Sequence, residues 1–430
     1  MYALAYFIRP YCTDLNTRRY FIPALTVRVI GALAVGFIYQ FYYGGGDTFN
    51  FHTHGSRHIW EAFMDDPVKG VRLLVNGTND QIGLYQYSSK IRFYNDPSSF
   101  AIIRIAALLD LLTFSSYSAT AAIFAVMSFA GMWLFFLTFY RQFPELHRII
   151  AIATLFIPSV FFWGSGLLKD TVTLACLGAA TFTAHIVFIK RKLNLLPVVG
   201  LLLSLYVLYV IKVYILLTFL PACIIWIFLS SLNNVQSPML RMVLFPAVLA
   251  SSLGLAYFAM LKAGEDNPKY SMEAISKTAQ ITAYDIRYWT GREAGSGYTL
   301  GDLDGTWQSL LRLAPQAVNV SLFRPYLWEV NNPLMLFAAI ESTALLVFTV
   351  FAIYRARANL MKRLAQPTVL FCLIFSITFA FAVGVSTYNF GTLTRYKIPL
   401  IPFYCLGLTL LSFYEKRPKN RVEFAETEKP

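Results

Sequence analysis

Charge is scarce in this chain. Only 14% of its 430 residues are Asp, Glu, Lys or Arg, against 57% that are hydrophobic, with 37 Phe and 26 Tyr. Such a composition excludes an ordinary soluble domain and describes a multi-spanning helical membrane protein. Cysteine is sparse too: Cys12, Cys176, Cys223, Cys372 and Cys405 stand singly, mostly inside apolar runs, with no C-x-x-C pair. That spacing excludes a disulfide framework and leaves small buried hydrophobes. No H-E-x-x-H zinc spacing is present, and Gly44-Gly45-Gly46 lacks the G-K-S/T that completes a nucleotide phosphate loop. No internal repeat stands out. A cleavable signal peptide is not expected, because the apolar run after Arg9, Arg18 and Arg19 is too long for one and no small-residue cleavage site closes it.

What the chain has in abundance is apolar runs of spanning length. Counting stretches of about 17–25 apolar residues places ten transmembrane helices near 21–43, 119–139, 149–166, 171–189, 195–211, 213–231, 242–261, 333–354, 366–386 and 398–414. The expected fold is therefore all-α, a single polytopic membrane domain over 1–430. Two long extracytoplasmic segments, 44–118 and 262–332, are predicted to carry interfacial helices, and 415–430 forms a cytoplasmic tail. With a cytoplasmic N-terminus, the segments 1–20, 140–148, 190–194, 232–241, 355–365 and 415–430 hold 18 Lys and Arg, whereas the short outer connections hold four. That bias matches the positive-inside rule. It also assigns much of the +13 net charge to cytoplasmic loops and acidic lipid headgroups rather than to nucleic acid. The stretch Phe100–Phe114 contains Arg104 and Asp110, both costly inside a bilayer, so it is read as a helix lying at the interface. Ile59, Trp60, Phe63, Met64 and Val68 recur at helical spacing in the first outer segment, and Met272–Trp289 looks similar in the second.

Chemistry-bearing residues gather on the outer side. Three consecutive glycines release the first span and fix Asp47 just outside the membrane, where a carboxylate can serve as general base or simply mark a solvated loop tip. In Gly164-Ser165-Gly166-Leu167-Leu168-Lys169-Asp170-Thr171, Asp170 and Thr171 stand where an N-cap belongs, and Lys169 suits a phosphate held at a helix start. Arg324 and Glu329 place a cation and an acid at the surface before the eighth span, with a local ion pair as the plain alternative. Arg395 and Lys397 open the last span; a guanidinium matches phosphate oxygens in bidentate fashion, though a snorkelling cation is common at helix ends. His54 and His58, four apart, could meet one metal with Asp47 or Glu61, or be plain loop histidines alongside His52.

In their order these pieces resemble the type C membrane glycosyltransferases, the superfamily of protein O-mannosyltransferases and aminoarabinose transferases. The likeness rests on Asp47 soon after the first span, on the Pro158…Trp163-Gly-Ser-Gly-Leu-Leu-Lys169-Asp170 turn, and on Arg395-Tyr396-x-x-Pro399-x-x-Pro402. It covers about Phe21 to Phe413; the first loop lacks the paired acids often found in that family, and a C-terminal soluble domain is not expected. The resemblance implies an enzyme of the inner (plasma) membrane, with both termini cytoplasmic, that moves a sugar from a polyprenyl-phosphate donor to an extracytoplasmic hydroxyl on a glycan, lipid or protein. By analogy Asp47 is the catalytic base of an inverting displacement, and Lys169, Arg395 and Lys397 hold the donor phosphate. Asp170, Arg324, Glu329 and His54 are then candidates for orienting donor or acceptor. No cofactor is expected, and metal dependence stays open. Two other readings compete: a polysaccharide polymerase or ligase acting on undecaprenyl-linked glycans, for which an outer arginine is the chief catalytic group, and a lipid or glycan transporter, whose deep charges would be Arg28 and Lys212.

Overall fold

The structure is a computed structural model that describes residues 1–75, 82–232, 254, 281, 297–300 and 307–413. Among these residues the regular structure is helical, apart from an isolated β-bridge between Gly297 and Asn389. Six helices are long and apolar enough to cross a membrane, or seven if a helix pair bent by 66° counts as one span. The chain is thus an all-α membrane protein.

An amphipathic helix α1 (Tyr2–Cys12) precedes α2 (Arg18–Phe37), which continues as a π-helical turn to Tyr42. Short helices follow: α3 (Asp47–Phe51), α4 (Arg57–Asp65), α5 (Pro67–Val75) and α6 (Tyr85–Ser88). Then come α7 (Pro97–Thr113) and the long α8 (Tyr117–Tyr140). The predicted span at 149–166 is broken into α9 (His147–Leu155) and α10 (Pro158–Trp163), since Pro158 cannot donate to a continuing helix. Next are α11 (Lys169–Ala184), carried on by a π-turn to Ile189, and α12 (Leu195–Leu232). After the undescribed stretch stand α13 (Trp307–Arg312), α14 (Ala314–Phe323), α15 (Pro333–Ala356), α16 (Leu360–Leu364), α17 (Pro367–Gly384), α18 (Phe390–Tyr396) and α19 (Leu400–Phe413). The predicted span 242–261, the helix predicted at Met272–Trp289 and the tail 415–430 lie outside the described residues, the lone positions 254 and 281 aside.

Contacts between distant residues define two ends. At one, the Tyr140 hydroxyl donates to Asp14 at 2.7 Å, Tyr20 meets His147 at 2.8 Å, and Thr368 joins Trp226 to Gln142. Arg18, Arg19, Arg141, Arg148, Arg355 and Arg363 belong to the same neighbourhood, which is the basic end. At the opposite end Thr48 meets Tyr117 at 2.7 Å and Asp47 meets Arg395 at 2.6 Å. The 38-residue α12 is not straight: Lys212 leaves helical geometry at φ −146°, ψ 78°. Gly200 lies beside Thr183, Lys212 reaches Asp170 at the other end of α11, and Trp226 returns to stack on His185 at 5.8 Å. A helix rising about 1.5 Å per residue can touch both ends of α11 in that order only by doubling back at Lys212.

Helix α7 begins where Asp96 meets Lys169 and finishes where Thr113 meets Thr120 at the start of α8, so both its ends lie at the same end of the bundle. It lies across the bundle rather than through it, as its two charges require. Asp110, fully buried, is satisfied by the hydroxyls of Ser56 and Thr120, each at 2.6 Å, and Arg104 covers the Phe100 ring. The amphipathic stretch within 44–118 is two helices rather than one, interrupted at Asp66. There Ile59 is buried, while Met64 and Val68 stay exposed.

Candidate active site

The residues 44–46 leave α2 with φ of 67°, 134° and 127°, conformations that cost any residue with a Cβ and cost glycine nothing. At Gly46 a Cβ would also sit 2.7 Å from the Tyr39 ring. The turn delivers Asp47 to a guanidinium from the far end of the chain: Arg395 Nη1 donates to Asp47 Oδ2 at 2.6 Å and to the Tyr39 hydroxyl at 3.3 Å. On its other edge, Arg395 Nε donates to Asp170 Oδ2 at 2.6 Å. Asp170 is fully buried and is also bonded by Lys212, whose ammonium lies over the Tyr396 ring at 4.8 Å. Two carboxylates and two cations from α2's exit, α11, the α12 bend and α18 therefore form one continuous network. Asp170 does not cap its helix. The N-cap position is Leu168, with no side-chain bond, and Thr171 closes the preceding turn by donating to the Gly166 carbonyl at 2.5 Å.

Asp47 and Arg395 form part of the wall of a cavity of about 870 Å3, a size that suits a small organic ligand. Tyr39, Tyr43, Phe162, Trp163 and Phe390 supply aromatic surface, and Glu341 faces in from α15. Glu341 accepts from the Ser159 backbone N–H at 2.9 Å and from its hydroxyl at 2.5 Å. Aromatic faces beside carboxylates and a guanidinium can stack on a sugar ring while bonding its hydroxyls and a phosphate oxygen.

The predicted site residues do not all converge. Asp47, Asp170 and Arg395 come together. Lys169 belongs to a neighbouring cluster, donating to Ser98 Oγ at 2.7 Å and to Asp96 Oδ2 at 3.3 Å. Burial alone would raise the Asp96 carboxyl, but hydrogen bonds from Ser99 and Ser98 and the Lys169 charge hold it below its ordinary value. Lys397 is buried and turns away from the cavity, donating to Ser342 Oγ at 3.0 Å and to the Arg324 carbonyl at 3.4 Å. Of the three cations expected on a phosphate, Arg395 alone lines the cavity. Arg324 and Glu329 form the local ion pair, with both Glu329 oxygens 3.1 Å from Arg324 Nε. Although burial works against it, the pair and the Tyr326 N–H keep the Glu329 carboxyl below its ordinary range. Arg324 also packs over Phe390 at 5.2 Å, and so reaches the cavity wall only from behind. His54 is exposed, with its carbonyl accepting from Arg92 N at 3.0 Å, while His58 bonds Glu61 at 2.9 Å and His52 lies buried 3.5 Å from Asp110. The three histidines thus point to separate places.

Glu341, Tyr39 and the Asp96 partner of Lys169 escape the sequence reading. Glu341 carries a usable signal, an acid inside an apolar run where charge is costly; Tyr39 is one aromatic among many and carries none. No family model, curated protein or solved structure matches this chain.

Proposed function

We propose that the chain is a membrane glycosyltransferase that moves a sugar from a polyprenyl-phosphate donor to an acceptor hydroxyl at the cavity. The observation that carries this reading is the Asp47–Arg395–Asp170 network on the wall of an aromatic cavity. In the resting arrangement Arg395 is shared by two carboxylates. An incoming phosphodiester competes with Asp47 for the outer edge of the guanidinium, while Asp170, buried and also held by Lys212, keeps the inner edge in place. Release from Arg395 leaves Asp47 as a free carboxylate beside the acceptor. The acceptor oxygen then attacks the anomeric carbon with inversion and its proton passes to Asp47. The bond from the anomeric carbon to the phosphate oxygen breaks, and the polyprenyl phosphate leaves with one more negative charge, which Arg395 stabilises. Lys169 and Lys397, pointing elsewhere, have supporting rather than phosphate-binding roles in this mechanism.

The reading extends to topology. All the predicted spans except 242–261 fall among the described residues and connect the basic end with the cavity end, which supports ten crossings with the cavity on the extracytoplasmic side. Incorporation of labelled sugar from a polyprenyl-phosphate donor, measured in membranes, tests the activity. Asp47→Asn removes the base and lowers transfer by at least about 100-fold, the scale of general-base catalysis. Arg395→Lys keeps a charge but loses the fork, giving an intermediate loss, and Arg395→Ala a loss of about 100- to 1000-fold. Equal transfer by wild type, Asp47→Asn and Arg395→Ala refutes the roles assigned. Loss in the arginine variants with full activity in Asp47→Asn favours the polymerase or ligase reading instead.

A further inference from the structure

At the basic end, remote from the cavity, a second hollow of about 340 Å3 is lined by Phe351, Tyr354, Arg355, Arg357 and Arg363. Its three arginines come from the end of α15, the 3-10 turn after it, and α16. Each is anchored on one side only. Arg355 Nε donates to the Ser412 carbonyl at 3.1 Å, and its guanidinium lies over the Phe413 ring. Arg363 Nη1 donates to the carbonyls of Leu411 and Ser412 at 2.8 and 2.9 Å. Arg357 packs over Tyr354 at 5.4 Å.

Those carbonyls lie in the last described turn of α19, and backbone carbonyls carry only partial negative charge, which cannot neutralise three guanidinium groups. Among the described residues no carboxylate pairs with any of the three. The face of α15 leading to the hollow is apolar and open: Val347, Val350 and Ile353 are each about half exposed or more. A charged pocket at the end of a spanning helix, continuous with an apolar strip along it, has the shape of a lipid with its headgroup and chain.

We propose that this hollow binds the phosphate of an anionic membrane phospholipid, with the acyl chain lying along Val347, Val350 and Ile353. Guanidinium forks match phosphate oxygens, and their weak hydration eases the loss of water on binding. The apolar strip selects a lipid over a free anion.

The test uses the full chain, purified and stripped of lipid in a neutral detergent, with phosphatidylglycerol, phosphatidylcholine or inorganic phosphate added back. Retained lipid is counted by native mass spectrometry, and the thermal midpoint is followed in parallel. Phosphatidylglycerol is expected to be retained and to raise the midpoint, whereas phosphatidylcholine and inorganic phosphate do neither. Arg357→Gln touches no backbone carbonyl and is expected to weaken retention about fivefold, the attraction of one near-surface basic residue for anionic lipid. The triple variant Arg355→Gln, Arg357→Gln, Arg363→Gln is expected to lose the headgroup preference. The proposal is overturned if phosphatidylcholine binds equally well, if inorganic phosphate reproduces the shift, or if Arg357→Gln retains phosphatidylglycerol as tightly as the wild type. Should the triple variant fail to fold, the single one decides.

Discussion

Asp170 and Asp47 meet the same guanidinium from opposite settings. The Asp170 side chain is wholly buried between two cations, whereas that of Asp47 is 41% exposed. Removing one partner of a buried charge network leaves the other charges uncompensated, at a cost of about 3–5 kcal/mol. An exposed pair contributes less than about 1 kcal/mol. Asp170→Asn is therefore expected to lower the thermal midpoint sharply, while Asp47→Asn leaves it nearly unchanged and still lowers the proposed transfer by at least about 100-fold. Thermal melts of both variants in one detergent check this, and equal destabilisation refutes the division of roles. Asp47, Asp170 and Arg395 could be picked out of the sequence because Asp47 follows a glycine break, Asp170 opens a helix and Arg395 stands just before the last apolar run, positions where charge has few structural duties. The directions in which Lys169 and Lys397 point were not, because spacing says where a cation enters a helix and nothing about which distant acid or hydroxyl it finds.

At the scale of elements, the packing of α8 on α11 depends on close approach of their backbones. Gly131 and Gly178 face one another: a Cβ at Gly178 would lie 2.2 Å from the Gly131 carbonyl oxygen, and one at Gly131 would lie 2.2 Å from the Ala175 oxygen. Small residues let backbones come this close, which is how helices pack where no hydrophobic force separates protein from lipid. Gly178→Ala must push the helices apart, at a cost of about 1–3 kcal/mol. Gly200→Ala, where the new Cβ meets Thr183 at an ordinary 3.4 Å, should be neutral or gain up to about 1 kcal/mol of helix propensity. Melting curves that fail to separate these two variants would dispose of the packing argument. Hydrophobic length located most of the helices. It could not foresee the break at Pro158 as two short helices, yet it did place a turn at Lys212, where a single charge interrupts a long apolar run. The placement of α7 was readable from Arg104 and Asp110, whereas the buried hydroxyls that satisfy Asp110 come from Ser56 and Thr120, which no local pattern connects to it.

For the whole molecule, the arginine-rich short connections and the cavity occupy opposite ends, and charge bias in short loops predicts which end stays in the cytoplasm. The native cysteines offer a direct check, since Cys12 is exposed at the basic end, Cys223, Cys372 and Cys405 are buried, and Cys176 is half-buried within α11. In intact cells, a maleimide that cannot cross the membrane is expected to leave Cys12 unmodified and to label it once the membrane is permeabilised. With Cys12 replaced by Ser, Lys90→Cys, exposed in the segment 44–118, should be labelled without permeabilisation. The opposite pattern would put the cavity in the cytoplasm, where soluble nucleotide-sugar donors are at hand and a carrier lipid confers no advantage. Labelling thus tests more than orientation, because the proposed polyprenyl-phosphate donor answers a need that arises where soluble activated nucleotides are out of reach.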